Sequence, residues 1–326
     1  MTQHHDIPEL IHEACSDHQG WSRAAGRLMS IAENSPTDTA VLLAALTTAP
    51  EPRIVLGVTG APGSGKSSLT NNLISAFRNK HPDRRIGVIA VDPSSPFSGG
   101  ALLGDRVRMM HHADDPFVFI RSSATRGNRG GITLGTLGVL RVMGLIGCDF
   151  VVIETVGVGQ SEFEVIEIAD MTAVVLTPGQ GDTIQFLKAG LMEIGDLFIV
   201  NKADSPDAES YFAEVTDALR YLACAKGTLE AVKPFLVSAR LNTGILPLLE
   251  HIEMCSEREQ ANWLLNRREK MHARIKRVIL DEARKQVEAA FDAIAHTNPI
   301  EKVITGQSTV AAIIDMLFKQ ISSPTH

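Results

Sequence analysis

Apolar positions fall into three regimes along the chain. Residues 1–50 carry short stretches at helical spacing, Leu28-Met29-Ile31 and Val41-Leu42-Leu43-Leu46, punctuated by Pro8, Gly20, Pro36 and Pro50; they predict a small helical cap. From Arg53 the spacing changes to compact runs of Val, Ile and Leu at 54–59, 86–91, 117–120, 150–154, 172–177, 197–201 and 235–238, separated by helix-like stretches. Strands buried on both faces read as near-continuous apolar runs. The alternation therefore predicts an α/β fold, a mostly parallel sheet flanked by helices on both sides.

After Pro247 there is no Gly or Pro until Pro299, and Met271, Ile275, Ile279, Ala283, Val287, Phe291 and Ile294 recur mostly three or four residues apart. That is a long amphipathic helix. Fully helical, some 40 residues would span about 60 Å, longer than one sheet domain can cover. Two readings follow: a pair of helices broken near Asn262 and Asn266 and packed back on the domain, or an arm reaching a second subunit, which is the one expected here. The expected organisation is a helical extension over 1–50, a sheet domain over 51–255 and a helical dimerisation arm over 256–326.

The candidate chemistry begins where the first apolar run ends. Gly60-Ala61-Pro62-Gly63-Ser64-Gly65-Lys66-Ser67 has the spacing G-x-x-x-x-G-K-S between a strand and a helix-like stretch starting at Ser68, the context in which this motif is a phosphate-binding P-loop. Glycines let successive backbone N–H groups turn inward around phosphates, and the following helix adds its positive end. Lys66 can reach the β- and γ-phosphate oxygens, and the Ser67 hydroxyl can serve Mg²⁺. The fold class sharpens to a P-loop nucleotide hydrolase.

Base choice is read from Asn201-Lys202-Ala203-Asp204, at the end of the sixth run. A carboxylate at Asp204 can accept from both guanine N1–H and the 2-amino group. Adenine has an acceptor at N1 and no such amino group, so a site built this way rejects it. Asn201 is expected to steady the loops, Lys202 to lie along the base, and Ser238-Ala239-Arg240, after the last run, to offer a backbone N–H to guanine O6. GTP and GDP are the expected ligands.

Metal and hydrolysis groups belong on loops at the strand ends beside the phosphates. Asp92 ends the second run and Glu154 the fourth; Asp105 sits in the polar insertion Gly104-Asp105-Arg106-Val107-Arg108. With Ser67 these are the candidate Mg²⁺ ligands. Gly157 can offer its N–H to the γ-phosphate, so that losing the phosphate releases the segment after it. In small regulatory GTPases a glutamine that orients water follows this glycine; here Val158 stands there. Slow intrinsic hydrolysis is expected, assisted by another group such as Arg108, Lys188 or Gln160.

Composition narrows the partners. A net charge of −7 with no basic stripe argues against nucleic acid. The apolar fraction of 44% is that of a globular protein. No apolar run approaches about 18 residues, and the first residues lack a signal-peptide pattern, so no membrane partner and a cytoplasmic location are expected. Cys15, Cys148, Cys224 and Cys255 lie far apart and suggest neither disulfide framework nor zinc site.

Taken together, the P-loop, Val91-Asp92-Pro93-Ser94-Ser95, Leu103-Gly104-Asp105-Arg106, the run ETVGVGQSE from Glu154 to Glu162, GQGDTIQFLK from Gly179 to Lys188, and Asn201–Asp204 resemble the MeaB/ArgK family of GTPases, accessory proteins of adenosylcobalamin-dependent acyl-CoA mutases. The resemblance implies a homodimer whose GTP cycle is coupled to loading the mutase with adenosylcobalamin and removing damaged cofactor. It implies that Asp92 and Asp105 lie on a first switch, Glu154 to about Glu167 on a second, and Thr177 to Lys188 on a third. Two stretches depart from the family pattern, Arg121 to Gly131 and Gly181 to Gly190, so the client mutase need not be the methylmalonyl-CoA enzyme. Two alternatives remain at this stage: a nickel metallochaperone GTPase, for which His111-His112 is the only tempting pair beyond His4-His5, and a nucleotide switch with negligible turnover.

Overall fold

The computed structural model describes residues 7–16, 20–34, 36–92, 112, 114–124, 134–155, 168–179, 195–226, 233–258 and 260–322. They fall into two compact units, Met1–Met271 and His272–His326.

In the first unit the seven predicted runs form seven strands: β1 (Ile54–Gly60), β2 (Arg85–Asp92), β3 (Val118–Ala124), β4 (Cys148–Thr155), β5 (Met171–Leu176), β6 (Leu197–Val200) and β7 (Phe235–Leu236). They make one sheet in the order β3-β2-β4-β1-β5-β6-β7, and every pairing is parallel. The chain leaves β1 toward β2 on one side, then crosses back from β4 to β5 on the other. This reversal puts the end of β1 at a topological switch point, where parallel sheets open a crevice for ligands.

All residues of β1 and β5 are buried, which explains their unalternating sequences. Val55, Ile89, Val151 and Ile153 share a core with α1 (Ile7–Ala14), α2 (Trp21–Asn34) and α5 (Leu134–Leu145). Leu56, Val58, Val88 and Val152 face the opposite layer, α4 (Lys66–Lys80) and α7 (Ile245–Arg258). A third cluster joins Val174, Leu176, Phe198 and Val200 to α6 (Ala208–Lys226). Each fully buried aliphatic side chain contributes about 1.5–3 kcal/mol relative to an exposed one. Cys148, at the start of β4, is fully enclosed; burial pushes its thiol up to about 12, which leaves it an inert packing group.

The N-terminal helices, with α3 (Pro36–Ala45), lie on one face of the sheet and share its core. The Trp21 ring meets Phe119 of β3 at 5.8 Å and carries the Arg85 guanidinium 4.5 Å from its centroid. Arg121 of β3 pairs with Glu33 of α2. α8 (Gln260–Ile294) runs without interruption through Asn262 and Asn266, so neither breaks the helix as the sequence allowed. Asparagine costs a helix only a fraction of a kcal/mol, too little to end one.

Within the second unit, the residues of α8 from His272 onward are followed by α9 (Pro299–Ile304) and α10 (Val310–Ser322). Its core is small, with Ala290, Ile294, Pro299 and Ile313 buried. Asn298 adopts a left-handed conformation, φ 50°, between α8 and α9. No helix among the described residues is long and apolar enough to cross a membrane.

Candidate functional site

The P-loop joins β1 to α4 at the switch point, and its glycines are required by geometry. Gly60 has φ +148°, and a Cβ there would lie 2.3 Å from the Val175 carbonyl oxygen of β5. Gly65, left-handed at φ 89°, precedes the first residue of α4; a Cβ on it would lie 2.3 Å from Asn201 Nδ2. Only glycine allows the base loop so close to the phosphate loop. Lys66 is 6% exposed, and its ammonium donates to the Gly60 carbonyl at 2.7 Å and the Ala61 carbonyl at 3.1 Å. Its charge is thereby held inside the turn whose N–H groups would face phosphate.

Ser67, one residue into the helix, donates its hydroxyl to Glu154 Oε1 at 2.6 Å. Glu154 is 1% exposed and occupies β4 opposite Val58 of β1 and Ala90 of β2. Two of the four predicted metal ligands are thus brought together. Both are hard oxygen donors, and a hydroxyl with a carboxylate beside a phosphate loop suits Mg²⁺, which takes its other ligands from phosphate and water. Asp92 ends β2, two residues beyond the partner of Glu154. Asp105, Arg108, Gly157, Val158, Gln160 and Lys188 lie outside the described residues.

The base-reading side is built by β6 and β7. Asn201 N–H donates to the Leu176 carbonyl and Ala203 N–H to the Val237 carbonyl, so the loop continues the sheet's pairing into Lys202, which turns left-handed at φ 63°. The buried Asn201 amide spans the two halves of the site: Nδ2 donates to the Ser64 carbonyl at 2.8 Å and Oδ1 accepts from Ala239 N–H at 3.0 Å. Asp204 accepts from the Ser238 hydroxyl and lies 2.8 Å from the Arg240 guanidinium. The Ser238 hydrogen bond foremost, with a backbone hydrogen bond and the Arg240 guanidinium adding to it, holds its carboxyl below the ordinary carboxylate range despite partial desolvation. It therefore meets a base as an ionised pair of acceptors.

Sequence reading missed Asn72 of α4, whose Nδ2 donates to the Ala239 carbonyl at 2.7 Å. The available signal was an amide in the interior of a helix, where asparagine is a poor helix former. Of the histidine pair, His112 lies 3.3 Å from the Asn71 carbonyl and His111 is outside the described residues; among those described, no three His, Cys, Asp or Glu side chains group to hold a metal ion.

Comparison with known proteins places this geometry. The family model for the methylmalonyl-CoA mutase-associated GTPase MeaB matches residues 25–296. A Pyrococcus abyssi protein named as a candidate GTPase is 37% identical over 324 residues, covering 97% of each chain. A Geobacillus kaustophilus protein named as a fused isobutyryl-CoA mutase is 40% identical over 155 residues, 48% of this chain and 14% of that one. The crystal structure of a LAO/AO transport system kinase superposes with a TM-score of 0.63 at 22% identity, covering 99% of this chain and 100% of that chain, and shares its fold.

Proposed function

The chain belongs to the methylmalonyl-CoA mutase-associated GTPase (MeaB) family, and from that premise we propose that it is a GTP-hydrolysing accessory protein of an adenosylcobalamin-dependent acyl-CoA mutase, gating cofactor loading and removal of damaged cofactor. The observation that carries the nucleotide half is Asn201, which ties the base loop to the P-loop through Ser64 and Ala239. The mutase half is supported by the family match and by the Geobacillus relative, where a matching segment lies within a chain named as a fused mutase.

In this reading the P-loop N–H groups and the positive end of α4 receive the β- and γ-phosphates, and Lys66 moves from the Gly60 and Ala61 carbonyls onto them. Ser67 and Glu154 would hold Mg²⁺, with Asp92 and Asp105 as further candidate ligands. When bound, the ion neutralises charge that develops on the transferred phosphoryl group. Gly157 senses the γ-phosphate through its N–H. Val158 cannot orient water, so turnover by the isolated protein is slow, and Arg108, Lys188 or Gln160 completes the site when a partner moves its loop. Phosphate release from GTP, followed with and without purified cobalamin-dependent mutases, is expected to rise with the client enzyme by up to about 10³–10⁵-fold, the range that an added transition-state group supplies. No acceleration and no co-purification with any such mutase would remove the accessory role.

The protein acts as a homodimer in this reading. Ile279, Leu280, Ile300, Ile304 and Phe318 of the second unit are all exposed, and apolar surface of this kind on a folded unit marks an interaction site. A self-complementary contact between two copies is the commonest way to cover it. Light scattering is expected to give twice the 35.2 kDa chain mass, and Ile304→Glu with Phe318→Glu to return it to one chain. A parent protein already at one chain mass, or a double variant that keeps the doubled mass, would refute this interface.

A further inference from the structure

Ala239 is gripped on both sides by amide side chains. Its N–H is held by Asn201, which also binds the Ser64 carbonyl of the P-loop. Its C=O is held by Asn72 Nδ2 at 2.7 Å across 167 residues of sequence. Asn72 stands on α4, the helix whose first residues are Lys66 and Ser67. One rigid helix therefore carries the phosphate-binding side chains at its start and a hydrogen-bond donor to the base turn farther along.

The Ala239 carbonyl and the Arg240 N–H belong to one planar trans peptide, so they point in opposite directions. Holding the carbonyl on α4 aims the Arg240 N–H away from that helix. We propose that Asn72 is a positioning residue for recognition of the guanine 6-oxo group: it fixes this peptide plane so that the Arg240 N–H meets O6, leaving N1–H and the 2-amino group to Asp204. The inference deepens the guanine reading and rests on it. It divides base recognition into two separable parts, an anionic acceptor at Asp204 and a neutral backbone donor whose direction Asn72 sets. Removing Asn72 should damage the second and spare the first.

Calorimetric titration of the full-length protein with three nucleotides tests this division. GDP presents every contact, IDP lacks the 2-amino group, and 6-thio-GDP keeps both donors facing Asp204 while replacing the O6 acceptor with a weaker one. Asn72→Ala and the near-isosteric Asn72→Asp, which has no donor when ionised, are expected to weaken GDP about tenfold, or about 1.4 kcal/mol. They should weaken 6-thio-GDP much less, so that the preference for GDP over 6-thio-GDP collapses while the preference for GDP over IDP stays within about twofold of the parent's. Asn72→Gln, which retains a donor amide, should recover most of the loss. GDP affinity within about twofold of the parent in Asn72→Ala, or equal collapse of both preferences, would overturn the positioning role. A parent protein that fails to prefer GDP over ADP would instead overturn the guanine reading, and this inference with it.

Discussion

Asp204→Asn is expected to weaken GDP binding by about two to three orders of magnitude and to create binding of xanthosine diphosphate where the parent has little. Asp204 offers two acceptor oxygens, one already receiving the Ser238 hydroxyl and the other facing Arg240. Guanine presents two donors to such a carboxylate. An asparagine keeps one acceptor and turns the other position into a donor, which would confront the 2-amino group. Leaving two desolvated donors mismatched costs about 3–4 kcal/mol in all, equivalent to roughly 10²–10³ in affinity. Xanthine replaces the amino group with a carbonyl, and the new amide complements it. The parent's preference should also be flat in mildly acidic buffer. A carboxyl whose folded pKa is depressed below its ordinary value near 3.8 keeps its favourable contribution above that value and loses it only as pH falls through the depressed one. Competition titrations of GDP against ADP at several pH values, and of GDP against xanthosine diphosphate in the variant, read both effects. GDP affinity in Asp204→Asn close to the parent's, or guanine preference fading above about pH 5, would show that another group reads the base.

The elements that proved legible in the sequence share a physical cause. β1, β4 and β5 are buried on both faces, so their compact Val, Ile and Leu runs had no competing reading. The P-loop and the Asn201–Asp204 loop follow buried strands of the same sheet, and because the sheet is parallel, their ends converge at one edge. Sequence order does not reveal that β4 lies beside β1, and it is this pairing that brings Glu154 to Ser67. The N-terminal helices were harder to place, because helical spacing in Leu28, Met29, Val41 and Leu42 is the same whether a helix caps a domain or lies along its sheet. What decided their place was tertiary: the Trp21 contacts with Phe119 and Arg85, and the Glu33 pairing with Arg121. Asn72 offered only the weak cue of an amide inside a helix, and that cue did not point to a partner. Its partner is a carbonyl that no side-chain pattern encodes, 167 residues away in sequence.

Lys66→Ala is expected to abolish tight binding of GTP and GDP while leaving a folded protein. The Lys66 ammonium is nearly inaccessible to solvent and is held by the Gly60 and Ala61 carbonyls. Its desolvation is therefore already in place before phosphate arrives, and little reorganisation is needed to transfer it from neutral carbonyls to an anion. Truncating one member of a buried, hydrogen-bonded charge pair costs about 2–5 kcal/mol, which corresponds to a loss of roughly 30- to several-thousand-fold in affinity. The variant should survive because Leu69, Leu73 and Phe77 anchor α4 in the sheet core independently of the loop. Lys188→Ala is the matched comparison: if its segment couples nucleotide state to a partner, as proposed, the variant should leave affinity nearly unchanged while reducing the partner's acceleration of phosphate release. Equilibrium binding of a fluorescent GDP analogue, with circular dichroism to establish folding, separates the two roles. Similar losses in both variants would place Lys188 in the nucleotide pocket and remove it from the coupling apparatus, whereas a folded Lys66→Ala protein that still binds GDP tightly would mean that the backbone cradle and the α4 terminus hold the phosphates without it.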